Sequence, residues 1–246
     1  MDAQSKKIPS FTENEPFLSH PERARGYITP FLAFMGLLAF GQLISKLALD
    51  LAGDQFWLVE SQYWIFPLQA IVCGVLLWHY RKDVRYYGVK SPVLVTIVGL
   101  ITLAIWVAPQ YFPNPPDRTA GFDPDTFLEQ PALYWSILIL RFIRLVIVVP
   151  FLEEIFWRGF LMRYLINEKF TTIPFGTFQW KSFLLVALLF GLAHWGPDFY
   201  VAIITGLIFN AVAVYTRSLG ACVLVHAVTN LALGIYIMQT RQWGFW

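Results

Sequence analysis

The apolar runs of this sequence decide what it can fold into. A helix needs about 20 mostly apolar residues to cross roughly 30 Å of hydrocarbon, and runs near that length occupy 27–49, 63–80, 93–112, 132–151, 182–196, 199–216 and 220–240. They predict an all-α fold, a polytopic transmembrane helix bundle of seven spans. Eight is the alternative, because an apolar stretch at 155–166 continues past Pro150 and either extends the fourth span or forms a helix of its own. The fifth run is short, which leaves tilt or re-entry open for it. Composition agrees with a membrane solvent: 14% of the 246 residues are charged, against about 25% in soluble domains.

Three regions follow. Residues 1–26 form a polar tail with Pro9, Pro16 and Pro21; it lacks the short apolar core of a cleavable signal peptide, so the first run is expected to stay as a signal anchor. Residues 27–131 hold three spans and end in a loop carrying Pro109, Pro113, Pro115, Pro116, Pro124 and Pro131, which cannot continue a helix and must turn repeatedly. Residues 132–240 hold the remaining spans. Lysine and arginine gather in alternate connections: Lys6, Lys7, Arg23 and Arg25, then Arg81, Lys82, Arg85 and Lys90, then Arg163, Lys169 and Lys181, then Arg217. The other connections carry Asp54, Glu60, Asp117, Asp123, Asp125, Glu129 and Asp198, with a single Arg118. The positive-inside rule then puts the N-terminus in the cytoplasm and the Pro-rich loop outside.

Several classes drop out. A formal net charge of +2 is too small to suggest nucleic acid. Cys73 and Cys222 lie in apolar runs and read as small buried hydrophobes; no zinc-finger spacing occurs. The sequence shows no internal repeat of the kind many transporters carry.

Ionisable groups inside a span cost at least about 2.5–3.5 kcal/mol on insertion scales, so they usually have partners and a task. Here they cluster after residue 140: Arg141, Arg144, Glu153, Glu154, Arg158, His194 and His226, with Asn230 as a neutral companion. The other two histidines, His20 and His79, lie in the tail and at a span end. At 100° per residue Glu154 and Arg158 share a helix face and are expected to pair. Glu153 is turned about 100° from Glu154 and so points elsewhere. Phe190 precedes His194 by one turn, and His226 precedes Asn230 by one turn. Singly, each has a bland reading: a juxtamembrane charged turn, a structural histidine, a hydrogen-bonded glue between helices. Together, a carboxylate, two imidazoles and an amide supply the parts for water activation and oxyanion stabilisation. Arg141 and Arg144 share a face; they either pair within the bundle or snorkel, or bind an acidic group of a substrate or a lipid phosphate.

The ordered set Glu-Glu-x-x-x-Arg (153–158), Phe-x-x-x-His (190–194) and His-x-x-x-Asn (226–230) resembles the CPBP family, the CAAX-protease and bacteriocin-processing (ABI) proteins. The likeness covers about 132–233, and the chain is similar to the CAAX-protease-related proteins of bacteria with exosortase systems. The resemblance implies an intramembrane endopeptidase of an inner membrane, acting on a membrane-associated protein or peptide. It implies Glu153 as the base activating water, helped by His194, with His226 and Asn230 stabilising the oxyanion. Glu154 and Arg158 would fix the helix, and Phe190 would pack beside His194 or line the substrate groove. Zinc is the one candidate cofactor, with Glu153, Glu154, His194 and His226 as its candidate ligands; metal-free water activation is the preferred expectation. The alternatives are a non-catalytic scaffold or immunity-type protein using the cluster structurally, and a transporter or channel.

Overall fold

A computed structural model describes residues 21–51, 55–86, 88–118 and 121–246. The tail up to His20, with Lys6 and Lys7, lies outside the described residues, as does Asp54. Seven helices match the seven apolar runs: α1 (Pro21–Leu51), α2 (Gln62–His79), α3 (Pro92–Val107), α4 (Pro131–Tyr164), α5 (Trp180–Ala193), α6 (Phe199–Thr216) and α7 (Leu219–Thr240). Among the described residues there is no strand. The described part of α1 is helical from Pro21 onward, inside the segment expected to be tail. The 155–166 stretch does not make an eighth helix. It continues α4 to Tyr164, giving 34 helical residues.

Five helices are long and apolar enough to cross a membrane: Ala24–Asp50, Pro92–Tyr111, Pro131–Tyr164, Phe199–Thr216 and Leu219–Thr240. The other two fall short for different reasons. Helix α2 is diluted by Gln62, Pro67, Gln69 and His79, and α5 has 14 residues, about 21 Å of helix against the roughly 30 Å required. Leu32, Leu43, Ile71, Val75, Val93, Ile97 and Ile101 point outward, as lipid-facing side chains do.

Successive helices alternate in direction, so the connections gather at two ends. At one end lie Arg81, Lys82, Arg85, Lys90, Lys169 and Arg217, and Ser218 Oγ donates to the carbonyl of Gly88. At the other, Tyr63 OH donates to the carbonyl of Asp123 at 2.8 Å. There Arg118 holds Asp198 through two hydrogen bonds of 3.0 and 2.5 Å, and Arg241 pairs with Asp125. Both of these arginines are thus bound to acidic side chains.

Small residues let helices approach. A Cβ at Gly99 in α3 would lie 2.9 Å from Val228 of α7, and one at Gly206 in α6 would lie 3.0 Å from the Ala187 backbone of α5. Close approach of this kind supplies the packing that hydrophobicity cannot supply between helices in lipid. Cys73 and Cys222 are free thiols and fully buried.

Candidate active site

Helix α4 is not a uniform α-helix. It passes through π-helical turns at Arg144–Val148 and Ile155–Leu161, on either side of Val149–Glu154. In the first of these the N–H of Val149 bonds to the carbonyl of Arg144, five residues back. The next such bond would run from residue 150 to Leu145, but Pro150 has no N–H to give. The carbonyl of Leu145 is satisfied from another helix instead: Asn230 Nδ2 donates to it at 2.9 Å. A break in α4 thereby fixes the amide of Asn230.

Arg158 is the hub of the buried network. Its Nη1 donates to Glu154 Oε1 at 2.9 Å, its Nε to Asn210 Oδ1 at 2.9 Å and its Nη2 to the carbonyl of Gly206 at 3.3 Å. The guanidinium lies 5.1 Å from the ring centre of Phe190 and 5.5 Å from that of Phe209. Asn210 is held in turn by donating to the carbonyl of Phe183 at 2.8 Å. Both side chains of the Glu154–Arg158 pair are fully buried, where loss of one partner costs about 3–5 kcal/mol because the other charge is stranded.

Glu154 Oε1 also accepts from His226 Nδ1 at 2.8 Å. An ionised carboxylate only accepts, so Nδ1 carries the proton and the neutral imidazole keeps its lone pair on Nε2. His194 is pinned in the same sense: it caps α5, and its Nδ1 lies 2.8 Å from the carbonyl of Phe190, which likewise only accepts. Phe190 packs against it with 4.5 Å between ring centres.

These elements enclose a cavity of about 250 Å³ lined by Glu153, Phe190, His194, His226 and Asn230. Glu153 is 7% exposed and its Oε2 has no hydrogen-bond partner. Glu154 is not part of the lining; it stands behind His226. The shortness of α5 brings His194 to the depth of Glu153. Ser182 Oγ donates to the carbonyl of Met162, levelling α5 with α4 at that point. From there His194 lies about 18 Å along α5 and Glu153 about 14 Å back along α4, at 1.5 Å per residue.

The cavity also takes side chains the sequence did not single out: Phe31, Phe34 and Met35 of α1, Thr205 of α6 and Asp198. Asn210 and Gln69 were likewise missed. Both are fully buried, yet as lone neutral amides in apolar runs they carry no charge and belong to no motif. Their one signal is position, a side-chain amide in the middle of a span. Of the arginine pair, Arg144 lines the cavity and Arg141 does not. Arg141 sits among the rings of Phe66, Phe122 and Trp246, at 4.4, 5.2 and 5.4 Å.

As a metal site the arrangement fits poorly. Among the described residues no three His, Cys, Asp or Glu side chains converge as ligands. Glu154 Oε1 is already engaged by Arg158 and His226.

Residues 135–232, which contain this whole set of polar residues, match the family model of the type II CAAX prenyl endopeptidase Rce1-like proteins. The C-terminal region is thus similar to that family. Comparison with curated proteins and with solved structures gives no match. The matched region runs from within α4 to within α7, so α1 to α3 lie before it, and α1 nevertheless supplies one wall of the cavity.

Proposed function

We propose that this integral membrane protein is an intramembrane endopeptidase that hydrolyses a peptide bond of a membrane-associated substrate with water activated by Glu153 and His194. One observation carries the reading: side chains from three separate motifs line one cavity, and there Glu153 presents a buried oxygen with no partner. Water in this cavity would donate one hydrogen bond to Glu153 and another to His194 Nε2. Glu153 takes a proton as the water oxygen attacks the peptide carbonyl carbon. The oxyanion that forms meets the second amide hydrogen of Asn230 and the Nε2–H of His226, which takes its proton from solvent before the attack and keeps it throughout. The proton held by Glu153 then passes to the leaving nitrogen as the C–N bond breaks. Glu154 and Arg158 act by position: Glu154 fixes Nδ1–H of His226, which leaves Nε2 as the nitrogen that takes up the proton this scheme needs. Phe190 holds His194 and forms a wall of the substrate groove. The basic end of the bundle is assigned to the cytoplasm by its lysine and arginine excess.

The test is cleavage of a quenched fluorescent membrane peptide by purified protein in detergent. Glu153→Gln and His194→Ala should each reduce turnover by about 10²-fold or more while the melting temperature stays within a few degrees of wild type. Equal turnover by wild type and Glu153→Gln would leave the scaffold reading, in which the cluster is structural. A chelator should not alter the rate.

A further inference from the structure

Among the described residues Arg144 is the one arginine that lines the cavity, and its position is a product of the π turn that it begins. It precedes Glu153 by nine residues, which in an unbroken α-helix would put the two on opposite faces. The widened turn at Arg144–Val148 takes up about one extra residue. The separation falls to about 80°, and both side chains line the same cavity.

The guanidinium is held before any ligand arrives. Its Nε donates to Gln69 Oε1 at 2.8 Å, and Gln69 is itself anchored by donating to the carbonyl of Phe34 at 2.8 Å. The rings of Phe66 and Phe34 lie 4.2 and 4.9 Å from the guanidinium carbon. Among the described residues neither Nη nitrogen has a hydrogen-bond partner. Arg141 Nε and Nη1 are also unpartnered but shut away from the cavity.

Carboxylate charge in and behind the cavity is nearly accounted for. Asp198 is neutralised by Arg118 and Glu154 by Arg158. Arg144 and Glu153 remain, attracting each other across the cavity without a direct hydrogen bond. A planar guanidinium with its terminal N–H groups free in a low-dielectric cavity is suited to a carboxylate, which it can grip with two parallel charge-assisted bonds. We propose that Arg144 is the subsite for a carboxylate of the peptide substrate, terminal or side-chain, and that this contact sets which peptide bond faces Glu153. The proposal rests on the endopeptidase reading for its choice of a peptide.

Binding tests it separately from cleavage. An N-dansylated apolar tetrapeptide is titrated onto the full chain in detergent in three forms: free acid, carboxamide, and carboxamide with a glutamate side chain at the last position. Wild type should bind the free acid, the glutamate form or both about tenfold or more tighter than the plain carboxamide; the tighter form tells a terminal from a side-chain carboxylate. In Arg144→Gln that ratio should fall to about one, and in Arg144→Lys, which keeps the charge but loses the fork, to an intermediate value. Equal binding of all three forms by wild type, no binding of any form, or a ratio that survives Arg144→Gln overturns the assignment. If Arg144→Gln does not fold, the wild-type ratio and Arg144→Lys decide. Failure of wild type to cleave any form, with the binding ratio intact, would overturn the endopeptidase reading and leave the carboxylate subsite standing.

Discussion

At the scale of single residues, the two neighbouring glutamates have different surroundings, and their chemistry diverges accordingly. Glu154 is held at Oε1 by both Arg158 and His226 and its unpartnered Oε2 lies outside the cavity lining, whereas Glu153 lines the cavity with its Oε2 unpartnered. Their substitutions should therefore fail differently. Glu153→Gln is expected to remove turnover and keep the fold. Arg158→Met strands Glu154 in a buried site and should destabilise by about 3–5 kcal/mol, read as the denaturant midpoint in detergent. Asn210→Leu removes the acceptor of Arg158 Nε. A cost of about 1–3 kcal/mol is expected for the unpaired donor, with no loss of the residues that line the cavity. Turnover that fell as far as in Glu153→Gln at unchanged stability would show that Asn210 does more than hold Arg158.

At the scale of elements, helix α4 carries the argument. Pairing of Glu154 with Arg158 was legible from spacing alone, since i and i+4 meet on any helix, and it survives the π turn that starts at Ile155. The placement of Arg144 was not legible, because periodicity assumes a uniform 100° per residue and the π turn breaks that assumption. Pro150 contributes by leaving the Leu145 carbonyl to Asn230. Pro150→Ala restores an N–H that can reach that carbonyl. Asn230→Ala should then destabilise less in the Pro150→Ala background than in wild type. A double-mutant cycle with no coupling would show that the proline and the amide act independently. Helix α5 makes the complementary point: its 14 residues looked like a weak span, and that shortness is what carries His194 to the depth of Glu153.

At the scale of the whole molecule, the bundle separates a basic end from an acidic end whose arginines are paired. If the basic end faces the cytoplasm, a single cysteine from Lys90→Cys should react with an impermeant maleimide only when the cytoplasmic face is opened. One from Asp117→Cys should react in sealed cells. The reverse pattern would invert the orientation. Cys73 and Cys222 are fully buried and should not interfere.

The sequence by itself determined the place of the apolar helices and narrowed their number to seven or eight, because each run must satisfy its backbone internally wherever it enters lipid. It also marked the ionisable residues after position 140, because charge in an apolar run is costly enough to stand out. The tertiary structure alone decided which of them meet. Glu153, His194, His226 and Asn230 line one cavity because α5 is short, α4 is locally widened and α1 closes the remaining side. Those are properties of packing between helices, to which neutral residues such as Gln69, Asn210 and Gly206 contribute without any pattern along the chain.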